Sequence, residues 1–266
     1  MMALAFFAGD LVVTSEFKRK GYDAERASTL VLWVALAGIV SARLYYIADN
    51  WSEFVENPKA LIFTGAGFVY YGGFIGGVVA SYVFARRFRI PWPKIADIGA
   101  PALVLGHAIG RIGCLLAGDG DWGVITNLPW AMRFPGGIAG WNRETVRALD
   151  NHGALVYAFP PGVAIPTSVG VHPTPIYEAV LYGGVFLLLW ARRRRTQIDG
   201  RLFCLYLILV GFIRLMVEFV RINPRVIFGL SEAQLISLTM IAIGSVAWII
   251  TSARREGIPA GQAVRA

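Results

Sequence analysis

Apolar residues run along this chain in long blocks rather than alternating with polar ones. Blocks at 30–47, 61–85, 95–117, 177–190, 202–219 and 230–250 predict helices that cross a bilayer. The hydrocarbon core takes about 20 apolar residues per helix. A further block at 1–15 is apolar but too short to span comfortably, which also fits a start upstream of Met1. Counting it gives seven helices. Between the fourth and fifth of them, 118–175 is long and rich in Gly, Pro and Trp. A structureless stretch of that length is unusual in a compact domain and tends to be functional. Trp122, Trp130, Trp141, Phe134 and Phe159 are expected to anchor it at the membrane interface.

Basic residues gather at the ends of alternate blocks. Lys18, Arg19, Lys20 and Arg26 follow the first, and Arg86, Arg87, Arg89 and Lys94 the third. Arg192 to Arg195 with Arg201 lie between the fifth and sixth, and Arg254 and Arg255 follow the seventh. With seven alternating helices these four clusters share one side, which the positive-inside rule makes cytoplasmic. The N-terminus is then outside, the C-terminus cytoplasmic, and 118–175 a small extracytoplasmic head.

Composition supports this. Hydrophobic residues make up 56% of the 266 and charged residues 16%, against about 25% charged in soluble domains. The net charge of +8 does not point to nucleic acid, because the cations sit where topology wants them. The two cysteines, Cys114 and Cys204, give neither a disulfide framework nor zinc-ligand spacing. No basic segment precedes the first apolar stretch, as a cleavable signal peptide would require. With no repeat and no low-complexity linker, 1–266 reads as a single polytopic membrane domain of all-α class.

Two arginines lie inside apolar blocks. Such charges are costly in a membrane, by about 2.5–3.5 kcal/mol on insertion scales, and mark function. Arg111 closes the run Gly106-His107-Ala108-Ile109-Gly110, and His107 is four residues before it, on the same helical face. The chain continues through Gly113-Cys114 to Gly118-Asp119-Gly120-Asp121-Trp122-Gly123, where the aspartates among glycines read as a turn. Arg214, Glu218 and Arg221 fall on one face of a later helix. A structural Arg–Glu pair explains two of them; the third leaves a net positive charge that suits an anion. His172-Pro173-Thr174-Pro175-Ile176-Tyr177-Glu178 opens another helix, with Thr174 as its cap and Pro175 at its first position. His172 and Glu178 are left either to hold the loop or to touch substrate. In Tyr71-Gly72-Gly73-Phe74, the paired glycines allow close approach of a helix or a lipid headgroup, and the Tyr71 phenol wants a partner.

These stretches, with Ser41-Ala42-Arg43-Leu44-Tyr45-Tyr46 and Trp130-Ala131-Met132-Arg133-Phe134-Pro135, resemble the prolipoprotein diacylglyceryl transferase family in order from about residue 17 to 250. The resemblance implies a seven-helix enzyme of the bacterial inner membrane. It would move the diacylglyceryl group of phosphatidylglycerol onto the lipobox cysteine of a preprolipoprotein, with a thioether and glycerol 1-phosphate as products. It matches Arg111 and Arg214 to essential arginines, Glu218 to their paired acid, Gly123 to the close of the signature, and His172 and Glu178 to a His-Pro…Tyr-Glu motif. Gly72, Gly73, Gly110, Gly113, Arg43 and Arg221 become candidate substrate contacts. Tyr71, His107 and His172 are the candidate bases, Tyr71 first by motif position and His107 second by chemistry. No metal or organic cofactor is implied.

The chain departs from the family pattern at Tyr71, where many members have histidine, and at Cys114, often asparagine. It departs also in the form of Asp119-Gly120-Asp121 and in its short first helix. These departures keep open a paralogue with altered substrate or lipid binding alone. Charged residues at mid-membrane also suit a transporter, which would predict two related halves.

Overall fold

The computed structural model describes residues 1–63, 67–196 and 198–256. It is mostly helical: α1 Met2–Arg19, α2 Ala24–Asp49, α3 Trp51–Glu56, α4 Pro58–Phe63, α5 Tyr70–Arg87, α6 Trp92–Ala117, α7 Thr174–Arg192, α8 Arg201–Val217 and α9 Glu232–Glu256. Two small antiparallel hairpins complete it, β1 Arg147–Leu149 with β2 Leu155–Tyr157, and β3 Arg225–Ile227 with β4 Leu230–Ser231. Among the described residues five helices are long and apolar enough to cross a membrane: α2, α6, α7, α8 with its following turn, and α9. This is a multi-pass membrane protein. Helix α1 extends the expected 1–15 block to 18 residues but carries Asp10, Glu16, Lys18 and Arg19. The expected 61–85 span divides into α4 and α5, and residues 64–66 between them lie outside the described residues. So do the side chains of Arg254 and Arg255.

The chain forms two compact units. One is Gly9–Gly99, where Phe17 and Phe84 are fully buried and Trp33 meets Phe84 edge-on at 5.8 Å. Its helices α2 and α5 pack backbone to backbone. A Cβ on Gly72 would stand 2.9 Å from Ala42 Cα, and one on Gly76 2.6 Å from the Ala37 carbonyl oxygen. Gly73 sits in the same contact, against Gly38 and Ala42. Helix packing therefore accounts for this glycine stripe. Arg43 donates to the carbonyls of Gly67 (3.0 Å) and Leu61. Tyr71 is half-buried in this unit.

The other unit comprises Met1–Ala8 and the chain from Ala100 onward. Ala100, Val104 and Ala108 of α6 bury against Tyr182, Val185 and Leu189 of α7 and Val210, Ile213 and Val217 of α8. Helices α8 and α9 close on Gly211 and Gly244, where a Cβ would meet Ser237 O at 2.9 Å and Cys204 O at 3.0 Å. The 118–173 segment is not structureless. It folds on its own core of Trp122, Val146, Ile165 and Val171, with Phe134 stacked on Trp122 at 4.9 Å and Trp141 tilted against it. The expected interface aromatics are thus largely the interior of this lobe. Trp130 is the exposed exception, and its Nε1 donates to Tyr177 Oη at 2.8 Å.

Candidate functional site

Helices α6 and α8 end, and α7 and α9 begin, at the same side of the second unit, and the lobe sits there too. This convergence brings six charged side chains into one cluster. Arg111 lies in the last two turns of α6, Arg214 in the last turn of α8, and Glu178 near the start of α7. Helix dipoles favour a cation at a C-terminal end and an anion near an N-terminal end.

Glu178 is the hub. It is fully buried, and its carboxylate pairs with Arg111 Nε at 2.9 Å and accepts from Arg214 Nη1 at 2.8 Å and Arg221 Nη1 at 3.3 Å. Glu218, also fully buried, pairs with Arg214 Nη2 at 3.1 Å and stands 3.8 Å from Arg221 Nε. Its other oxygen accepts from Asn223 Nδ2 and Ser231 Oγ, both at 2.7 Å. Asp121 bridges Arg111 and Arg221 with its two oxygens. Burial alone would raise the Asp121 carboxyl, but the guanidiniums of Arg221 and Arg111 outweigh it and hold the group below the ordinary carboxylate range.

Three arginines thus meet three carboxylates, and Arg221 does not leave the net positive charge that the Arg214–Glu218–Arg221 spacing suggests. The fourth cation nearby, Arg225, is bonded to Gln234 Oε1 at 2.7 Å. Nor does Arg221 continue the helical face. Helix α8 stops at Val217, a 3₁₀ turn covers Glu218–Val220, and Arg221 takes an extended conformation. It does so to form a bridge with Gly123. That approach requires glycine: a Cβ on Gly123 would press on the Val220 carbonyl oxygen and stand 2.9 Å from His172 Cβ. Thr174 does not cap α7 either. Its hydroxyl donates to the Asp121 carbonyl, tying the lobe to the helix.

Exposure separates the arginines. The side chains of Arg111 and Arg214 are 23% and 20% exposed, that of Arg221 only 4%. The first two offer an open edge to a ligand, and the third is enclosed by the carboxylates.

His107 lies one turn before Arg111, its ring 5.6 Å from that of Tyr182, and its Nδ1 is buried without a hydrogen-bond partner among the described residues. His172 Nδ1 is 3.2 Å from Tyr177 Oη, and burial pushes its pKa below the usual histidine value. Gly113 faces Met1, and Gly110 faces open space. Tyr71, Arg43, Gly72 and Gly73 belong to the first unit. Arg111 Nη1 also points at Cys114 Sγ, 3.8 Å away. Cys114, Asp119 and Asp121 have donor atoms within 4.8 Å of one another, the described grouping nearest to a cation cage. Both oxygens of Asp121 are already engaged by arginine. Asp121 is the functional candidate that sequence reasoning missed. Its only signal was an acid ten residues past an intramembrane arginine.

Comparison with known proteins gives a consistent picture. The family model for prolipoprotein diacylglyceryl transferase matches residues 1–250. A Clostridium tetani protein named phosphatidylglycerol–prolipoprotein diacylglyceryl transferase is 30% identical over 258 residues, 96% of this chain and 93% of its own length. Proteins of the same name from Thermosynechococcus vestitus and Clostridioides difficile are 32% and 28% identical, covering 92% and 96% of this chain and 84% and 90% of their own.

Proposed function

The chain belongs to the prolipoprotein diacylglyceryl transferase family, and on that premise we propose that it transfers the diacylglyceryl group of phosphatidylglycerol to the lipobox cysteine of a preprolipoprotein. The acceptor sulfur, as thiolate, forms a bond to the terminal glyceryl carbon. The carbon–oxygen bond to phosphate breaks, and the oxygen keeps the electron pair. The products are a thioether and glycerol 1-phosphate. This balance needs no metal or organic cofactor.

The observation that carries the reading is the pair of partly open guanidiniums, Arg111 and Arg214, fixed by the buried carboxylates of Glu178 and Glu218. Preorganised donors aimed at a leaving phosphate stabilise the charge that grows on it, and the planar arginine fork matches phosphate oxygens. Arg221 holds the lattice. His172, engaged by Tyr177, positions the start of α7. The candidate bases for the thiol proton are Tyr71, by its place in the family motif, and His107, by its chemistry. In the membrane seven helices cross, as in the family, with the N-terminus outside, the C-terminus cytoplasmic and the lobe on the outer face of the bacterial inner membrane.

The test is release of glycerol phosphate from phosphatidylglycerol by the purified protein, with and without a lipobox peptide. Peptide-dependent release is expected, and R111A or R214A should abolish it in protein that remains folded. Near-normal turnover in either variant would remove these assignments. Lipid binding without release would favour a paralogue altered at Cys114 and Asp119–Asp121.

A further inference from the structure

The β3–β4 hairpin is unused by this reaction. It joins the end of α8 to the start of α9, on the side where the lobe and the charged cluster lie. Its two ends differ in kind. At the base, Arg225 Nη1 and Ser231 N donate to Gln234 Oε1 at 2.7 and 3.0 Å, and Ser231 Oγ donates to Glu218 at 2.7 Å. Ser231 and Gln234 are buried. At the tip, Val226, Ile227 and Phe228 are all exposed, Phe228 to 96%. Phe228 has φ of +51°, with Gly229 at +73° beside it. An aromatic residue in left-handed backbone is uncommon. Neither turn chemistry nor packing within the chain explains a phenylalanine held there.

We infer that the Val226–Phe228 tip is an anchor that inserts into the lipid headgroup–acyl boundary on the lobe side. Three observations favour lipid over a protein partner. The hairpin is flanked directly by two membrane-crossing helices, so its base stands at the height of their ends. The last turns of α8 expose Phe212 and Met216, Phe219 follows them, and the first turns of α9 expose Ile236, so the chain on both sides of the hairpin also presents apolar side chains outward. The tip itself carries no charge, because Arg225 is turned into the base. Aromatic and aliphatic side chains are favoured at that depth. Through Ser231 and Glu218 the anchor also sets the height of Arg214. Insertion of the tip rests on the multi-pass fold and is read by fluorescence alone; only its effect on the height of Arg214 rests on the proposed reaction, so the two fail separately.

The experiment places an environment-sensitive fluorophore on F228C in the full chain, reconstituted in phosphatidylglycerol–phosphatidylcholine vesicles, with the identically treated parent chain as blank. The expected result is a blue-shifted emission quenched by lipids spin-labelled high on the acyl chain and shielded from aqueous iodide. The same label on H152C, in the exposed β1–β2 turn, should show the reverse. Iodide quenching at 228 equal to that at 152 would overturn the anchor. So would a blue shift that appears only when lipobox peptide is added, which would assign the tip to the acceptor. F228D, at a position with no packing to lose, should lower transfer from vesicle lipid several-fold while sparing detergent-dispersed short-chain lipid. Equal rates with both lipids, relative to the parent, would show that the tip does not set the site's height.

Discussion

Glu178 is a single residue that three arginines share, and much of the cluster's stability passes through it. Breaking a buried ion pair from one side costs about 3–5 kcal/mol, because the abandoned charges stay buried. E178Q should therefore lower the thermal midpoint in detergent as well as activity; an unchanged midpoint would show that the arginines find other partners. Asp121 carries a different signature. Its folded pKa is depressed by Arg221 and Arg111, so its stabilising contribution is complete above the ordinary carboxylate pKa and is lost as pH falls through the lower folded value. The tie between lobe and helices should hold from neutral pH down to about 4, the usual carboxylate range, and loosen below it. D121N should remove that acid-linked step, which protease sensitivity of the lobe against pH would report. Arg111, Arg214, Glu218, Glu178 and His172 were legible in the sequence because charge in an apolar run and helix-start spacing are local signals. Asp121 was not. Its partnership with Arg221 spans a hundred positions of chain, and an aspartate among glycines looks like any turn.

At the scale of elements, the glycines of α5 make a sharp comparison. A Cβ on Gly76 would meet the Ala37 carbonyl oxygen at 2.6 Å and Ser41 Cβ at 2.7 Å, whereas one on Gly77 would find Val34 Cγ1 at an ordinary 3.6 Å. Overpacking a tight contact costs about 1–3 kcal/mol. G76A should destabilise the protein and G77A should not, by thermal unfolding in the same detergent; equal behaviour would mean that α2 and α5 yield easily. Apolar blocks revealed five spans and placed most of their ends within three residues, with α2 starting and α9 ending six residues outside their blocks. They did not reveal that 61–85 is two helices, because α4 is as apolar as its neighbours. They also ran α9 back to Leu230, which the structure gives to strand β4. The stop of α8 at Val217 was equally hidden. It follows from a tertiary bridge between Arg221 and Gly123, and helical periodicity carries no trace of such a contact.

The whole molecule has an orientation that can be read from outside. The proposed topology predicts that H152C, on the lobe, reacts with a membrane-impermeant maleimide in intact cells. T196C, beyond the basic end of α7, should react only after permeabilisation. The opposite pattern would invert the molecule and place the cluster on the cytoplasmic side. The lobe was visible in the sequence as a long interruption, but its interior was not, since Trp122 and Phe134 look alike whether they face lipid or each other. The equality of arginines and carboxylates in the cluster bears on how the proposed site would handle an anion. A site that carries its own counter-ions does not bind a phosphodiester by neutralisation. On the proposed reaction an incoming lipid meets Arg111 and Arg214 at their open edges, while Asp121, Glu178 and Glu218 keep the contacts they already hold. The anionic product of that reaction then leaves a site whose arginines are already paired, beside carboxylates that never diffuse away.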